Sequence, residues 1–384
     1  MPVEPDAVVT DTPVVPSAGE TPSDDPSMIT QSPVTRHGRL GKVSGVRIAG
    51  TGSYVPDRVV SNEDMAALGC DSEWIVRRTG IRARRHADHN QATSDMCFHA
   101  ATRCLENAQS INPKFSAADV DLVIVATITP DYPTPSTASI LQSRLKLSAP
   151  AMDMGVACSG FTYALVTASQ FVAMGNAKNV LVVGSDLMSR TIDPDDKKIY
   201  PLFGDAAGAV ILTSTGSGEA ASSDNHDAAP ADGLLAYQLG SEGAGAGLLC
   251  IPAGGSRQLL TPEAHAAKQH YMAMDGRNVF KWAVRVVDES IQDVLRAAGV
   301  TAQDLDLLIL HQANQRIIDS AVSDLNVDPA KVFVNLDQYG NTSAASIPLA
   351  LDEAARAGRL KRGDLVLMSG FGAGLAWGTV LLRW

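Results

Sequence analysis

Short runs of apolar, β-branched residues recur along the chain, each closed by glycine, proline or a charge. The first, VSGVRIAGTGSYVP (Val43–Pro56), predicts a strand stopped by Gly and Pro. DLVIVATI (Asp121–Ile128) and NVLVVGSD (Asn179–Asp186) predict two more. Between them lie helical patterns such as PSTASILQSRLKL and the stretch after Cys158. Strands alternating with helices predict an α/β architecture containing parallel strand pairs.

The second half repeats the first. AADVDLVIVATI (Ala117–Ile128) matches AQDLDLLILHQA (Ala302–Ala313) with a shift of 185 from Asp121 to Asp306. NVLVVGS matches DLVLMSG with a shift of 184 from Val182 to Val366. A near-constant shift through different elements predicts two fused αβ units related by a pseudo-twofold axis, not a solenoid. Carried to Cys158, a shift of 183 lands on Asn341, which predicts two facing helix starts, one bearing Cys and the other Asn. The expected organisation is a disordered tail at 1–42, an N-terminal half at 43–213, a low-complexity polar excursion at 214–233 and a C-terminal half at 234–384.

Composition narrows the class of function. The 384 residues are 45% apolar and 19% charged, enough for a large core, and no apolar run reaches membrane-spanning length. The first residues lack the basic and apolar regions of a signal peptide. A net charge of −11 argues against a nucleic-acid or anionic-membrane surface. Five cysteines (70, 97, 104, 158 and 250) without CxxC spacing predict reduced thiols in the cytoplasm, with neither a disulfide framework nor a metal site.

Three residues stand where α/β proteins place chemistry. Cys158, in ACSG before a helical run, is a candidate nucleophile whose pKa the helix start is expected to lower. His311 interrupts an apolar strand at its end, and Asn341 sits in a Gly-Asn-Thr-Ser turn. The turn Gly370–Gly374 lacks phosphate-loop order and is read as a source of backbone amides for an oxyanion. A thiol, an imidazole and a neutral amide together suit acyl transfer through a thioester.

Six ordered motifs carry a family resemblance: EWIVRRTGI (73–81), ACSGFTYAL (157–165), VVGSDLMSRTIDP (182–194), FGDAAGA (203–209), HQANQRI (311–317) and GNTSAAS (340–346). From about Val46 to Trp384 the chain resembles the β-ketoacyl-acyl-carrier-protein synthase III family of thiolase-fold condensing enzymes. The resemblance implies a five-layered αβαβα fold built from two duplicated halves. It implies a cytoplasmic homodimer that initiates fatty-acid synthesis, with acyl-CoA as substrate, malonyl-acyl carrier protein as partner and no permanently bound cofactor. Cys158 would be acylated; His311 and Asn341 would stabilise the enolate formed as CO₂ leaves. The amides of Cys158 and Ala373 would hold the acyl oxyanion, and Phe371 would border the reaction chamber. Trp74 and Arg78 would sandwich the CoA adenine, Arg190 would meet its phosphate side, and Asn314 the pantetheine arm. Arg316 would dock the acidic carrier protein. Thr134 stands where short-chain relatives carry a Phe that closes the acyl pocket across the dimer, which implies longer or bulkier primers. The alternative the resemblance leaves is a specialised condensing enzyme of secondary metabolism.

Overall fold

The computed structural model describes residues 38–215 and 233–384. The expected tail lies outside them as far as residue 37, as does the polar excursion from 216 to 232. Among the described residues ten strands form two five-stranded sheets. In chain order they are β1 (Arg39–Ser44), β2 (Val46–Tyr54), β3 (Leu122–Ala126), β4 (Ala151–Met154), β5 (Asn179–Leu187), β6 (Asp205–Ser214), β7 (Gly233–Ser241), β8 (Leu307–Leu310), β9 (Leu365–Gly372) and β10 (Ala376–Arg383). One sheet runs β2–β6–β5–β3–β4, the other β1–β7–β10–β9–β8. The helices that matter here are α1 (Ser72–Thr79), α2 (Thr93–Ile111), α3 (Thr137–Arg144), α4 (Gly160–Ala173), α5 (Gly276–Ala298), α6 (Gln315–Leu325) and α7 (Ser346–Arg356).

Burial places each helix in its layer. In α4, 9 of 14 residues are buried, whereas the longer α5 buries 8 of 23 along one stripe. A helix buried on most sides belongs between sheets, and a striped one belongs outside. One core accordingly joins Phe161 and Leu165 of α4 and Ile347 and Leu351 of α7 to Ile124 and Val182 of one sheet and Ile309 and Met368 of the other. A second core packs α5 and α6 on the far face of the β8–β9–β10 side, and a third packs α2 and α3 on β3 and β5. The result is the αβαβα sandwich. Every residue of β3 and of β8 is buried because both sheet faces are covered, which explains their uninterrupted apolar runs. No helix among the described residues is long and apolar enough to cross a membrane.

The duplication is real, but its shift at the functional turns is 186. Leu122 pairs with Val180 in β5, and Leu307, 185 positions after Leu122, pairs with Val366 in β9. Val366 therefore corresponds to Val180, not Val182. The 3₁₀ turns Ala157–Ser159 and Ser343–Ala345 precede α4 and α7 with the same spacing, and Ala157 and Ser343 share positive φ angles of 45° and 51°. Cys158 thus corresponds to Ala344, which overturns its pairing with Asn341; Asn341 lies two residues ahead of the second turn. Gly184 and Gly370 correspond as well, and each faces the other half's turn. A Cβ on Gly184 would stand 2.2 Å from the Ala344 carbonyl oxygen, and one on Gly370 3.3 Å from that of Cys158.

Two boundaries also move. Among the described residues regular structure starts at Arg39, not at Val43, because RLGKVS forms a sheet edge held by backbone pairing to β7 while burying only Val43. This strand from the start of the described chain belongs to the C-terminal half's sheet, so 1–42 is not uniformly a tail. In the second half the counterpart of β4 shrinks to a single bridge between Leu308 and Val332.

The glycine contacts predict unequal costs. Gly184→Ala forces a methyl group into a backbone oxygen and should destabilise by about 3 kcal/mol or more. Gly370→Ala meets the movable Ile347 side chain at 3.2 Å and should cost clearly less. Urea unfolding of the two variants checks the order; equal midpoints would refute the turn packing.

Candidate active site

Cys158 sits at the middle of the Ala157–Ser159 turn, on the floor of a cavity of about 110 Å³. His311, from the residue after β8, and Asn341 line the same cavity, as do Phe371 and Ala373 from the β9–β10 hairpin. Ile128, Phe203, Leu249, Met272 and Val279 complete an apolar wall. A second, outer cleft of about 1090 Å³ is lined by Trp74, Arg78, Lys197, Lys198, Arg277 and Arg316. Leu202, Met272, Met274, Gly276, Phe280 and Asn314 border both spaces. A wide basic vestibule therefore narrows onto the thiol.

Each polar side chain is held by its local structure. The Asn341 N–H donates to the Leu202 carbonyl at 2.7 Å, and its Oδ1 accepts from the Ser343 N–H at 2.9 Å. With Oδ1 so engaged, the amide Nδ2 is left to donate to the cavity. The His311 N–H donates to the Ser369 carbonyl at 2.8 Å, and Phe371 meets the imidazole edge-on at a centroid distance of 5.1 Å. The His311 Nδ1 is buried without a hydrogen-bond partner among the described residues. Burial pushes the His311 pKa down to about 3, so the ring is neutral at physiological pH. Burial also pushes the Cys158 thiol up to about 12, with the Ser343 hydroxyl opposing. The direction is opposite to the thiolate that the helix start was expected to favour, because burial removes the water that would stabilise the charged sulfur.

The two related turns differ in one respect that bears on chemistry. In the second turn the Ala344 N–H donates to Asp186 Oδ2 at 3.1 Å. At the corresponding place beside Cys158 stands Gly372, and a Cβ there would be 2.9 Å from the Cys158 nitrogen. Among the described residues no carboxylate accepts from the Cys158 N–H. Among the described residues neither the Cys158 nor the Ala373 N–H has an acceptor. Two amide donors without partners at a thiol are the elements of an oxyanion site.

A family description of 3-oxoacyl-[acyl-carrier-protein] synthase III matches residues 152–229, and its C-terminal counterpart matches 295–384. The β-ketoacyl-[acyl-carrier-protein] synthase III of Rhodopirellula baltica is 68% identical over 350 residues, 90% of this chain and 100% of that protein. The chain belongs to the β-ketoacyl-acyl-carrier-protein synthase III family. A Desulfitobacterium hafniense member is 46% identical over 88% of this chain and 98% of its own. The crystal structure of the Aquifex aeolicus synthase III superimposes with a TM-score of 0.75 at 41% identity, covering 88% of this chain and all of that one. A priming β-ketosynthase from the R1128 polyketide pathway gives 0.77 at 34% identity, over 90% and 98%. The family's condensing acyltransferase chemistry agrees with the site's composition.

Some expected residues of a synthase III site fall elsewhere. Arg190 does not line the cleft: its Nη2 donates to the carbonyls of Asp88, His89 and Gln91 at 2.9, 3.1 and 2.6 Å, tying down that loop. Arg78 lies directly over the Trp74 ring, 4.9 Å from its centroid, so no gap for a base exists between them. Asn314 caps α6 by accepting from the Arg316 N–H and donates to the Arg78 carbonyl, which ties the vestibule wall together. Arg316 stands 6.0 Å from the Phe280 ring at the mouth. Thr134 is exposed and lines neither space in this chain; its loop leads into α3, which packs on the edge strand β4. Sequence reasoning missed Ser343 and Asp186, although both stand inside quoted motifs. Among the described residues no His, Cys, Asp and Glu cluster suits a metal ion.

The neutral His311 sets a pH dependence of stability. The unfolded chain takes up this proton near pH 6.5, the folded one only near pH 3. Stability from this group is present above pH 6.5 and drains as pH falls toward 3. Replacing His311 by Asn should recover about 2 kcal/mol of the loss between pH 6.5 and 4.5, read from urea midpoints at the two values.

Proposed function

We propose that this chain takes an acyl group from acyl-CoA onto Cys158 and condenses it with malonyl-acyl carrier protein, giving β-ketoacyl-acyl carrier protein, free CoA and CO₂. The observation that carries this reading is the single cavity bordered by Cys158, His311 and Asn341 and opening into a basic vestibule. The vestibule suits the phosphates of CoA, with Trp74 and Arg78 taking the adenine after Arg78 swings off the indole. Arg316 at the mouth gives an acidic carrier protein a cationic contact in an otherwise acidic molecule. Arg190 acts only through the loop it braces.

The steps follow from the donors available. The Cys158 sulfur adds to the thioester carbonyl, whose oxyanion the Cys158 and Ala373 amides receive, and CoA departs. Malonyl thioester then enters with its carbonyl facing His311 and the Asn341 amide. Loss of CO₂ places negative charge on that oxygen, and two neutral, buried donors stabilise it without themselves carrying charge. The resulting carbanion attacks the acyl-cysteine and expels the Cys158 thiolate, which takes a proton from solvent to return to the thiol. A neutral imidazole is the form this step needs, and burial supplies it. The apolar wall of the cavity accepts the acyl chain. We place the reaction in the cytoplasm, in a homodimer in which Thr134 of one subunit borders the acyl pocket of the other; its exposure beside the edge strand β4 supports that placement.

Cys158→Ala should abolish acyl-enzyme formation, measured as a mass shift after incubation with acyl-CoA. His311→Ala should still acylate but lose condensation by about 100-fold or more, measured as CO₂ release. Retained acylation by Cys158→Ala would refute the mechanism. Across a panel of acyl-CoAs, Thr134 predicts use of C8–C12 primers. Turnover of acetyl-CoA alone would refute that assignment.

A further inference from the structure

The Ser343 side chain is fully buried, and its Oγ has no hydrogen-bond partner among the described residues. An orphaned buried hydroxyl costs about 1–3 kcal/mol. Its backbone angle of +51° would suit glycine better, so neither packing nor turn geometry accounts for a serine. The hydroxyl stands between two acids. It lies on the turn that faces Cys158, next to Ala344, whose amide holds Asp186; it favours ionisation of both the thiol and the carboxyl, yet makes a hydrogen bond to neither.

Asp186, at the end of β5, is also fully buried. Its Oδ1 accepts from the Thr127 and Thr129 hydroxyls and the Ile128 amide, at 2.9, 3.1 and 2.8 Å. Its Oδ2 accepts from the Ala344 amide alone among the described residues, which leaves it a lone pair to spare. No cation pairs with it in the described structure. Burial opposes ionisation of both Cys158 and Asp186, and each anion would oppose the other. With Asp186 as the carboxylate, a proton moving from sulfur to oxygen relocates its negative charge without adding a second.

We propose that Ser343 is a proton relay from Cys158 to Asp186, its hydroxyl taking the thiol proton as the sulfur attacks the acyl donor and passing its own proton to Asp186 Oδ2. The S–H bond breaks as the S–C bond forms, and the carboxylate becomes a carboxylic acid while the CoA sulfur leaves. The same hydroxyl returns the proton to the departing thiolate, so free CoA is released as the thiol and Asp186 ends as the carboxylate. His311, neutral and committed to the second substrate, is spared this task. The inference rests on the reading of Cys158 as the acyl-accepting nucleophile.

The test uses Ser343→Ala, and Ser343→Gly as a second variant that the positive φ accommodates. Neither removes the backbone N–H that orients Asn341. Alkylation of Cys158 by iodoacetamide, followed by mass against pH, reads the relay without any acyl-CoA. We expect alkylation at pH 7.5 to fall about 100-fold in both variants, with its midpoint moved to higher pH, and acylation by acyl-CoA to slow comparably. Enzyme acylated by long incubation should release CO₂ from malonyl-acyl carrier protein at the wild-type rate. Wild-type alkylation rates and midpoint in a folded variant would overturn the relay. So would an equal loss of alkylation and CO₂ release, which would show that Ser343 only shapes the turn holding Asn341. A wild-type enzyme that alkylates normally but never acylates would instead sink the proposed function.

Discussion

Two short turns, Ala157–Ser159 and Ser343–Ala345, press against each other at the centre of the molecule, and the site depends on that contact. Each begins with a non-glycine residue at positive φ, a conformation costing about 1–2 kcal/mol, and each is held there by the opposite half. Gly184 and Gly370 make the close approach possible, because a side chain at either would meet the facing turn. The two middle helices then run outward between the sheets, buried on most sides, so neither turn can relax without opening the main core.

Symmetry supplies the frame, and its breaking supplies the chemistry. The second turn has its amide satisfied by Asp186 and carries no nucleophile. The first has Gly372 in the place of that carboxylate, so its amide and thiol face an open cavity. A duplicated scaffold thus needs few changes to become a catalyst: a side chain is withheld on one side and kept on the other. Water exclusion does the rest, holding His311 neutral and Cys158 protonated until substrate arrives.

The sandwich and its central residues were legible in the sequence because buried parallel strands leave long apolar runs and because polar residues at their ends stand out. Register was less legible. Shifting Val366 from Val182 to Val180 moves two residues along a strand, and a two-residue step returns every side chain to the same face, so hydrophobic pattern does not separate the alternatives. That slip alone would carry Cys158 to Thr342, and a further one-residue drift, from a shift of 184 to 183, carried it onto Asn341 instead of Ala344. Arg190 resembled a phosphate ligand because sequence does not show a guanidinium already occupied by three carbonyls. The thiol's protonation was misjudged for a similar reason: the helix start is visible in the sequence, but the depth of burial is not.

The edge strand β1 has a consequence for how the chain is made. Its partners in β7 lie about 190 to 200 residues downstream, and the other neighbour of β7 is β10, which ends next to the C-terminus. The sheet β2–β6–β5–β3–β4 is built from residues 46–214 and can close while translation continues. Among the described strands the first to be made, β1, stays unpaired until β7 has followed it, and the sheet it edges is complete only with β10. The second sheet is thus stitched from segments far apart along the chain, and its edge strand is made long before the partner that holds it.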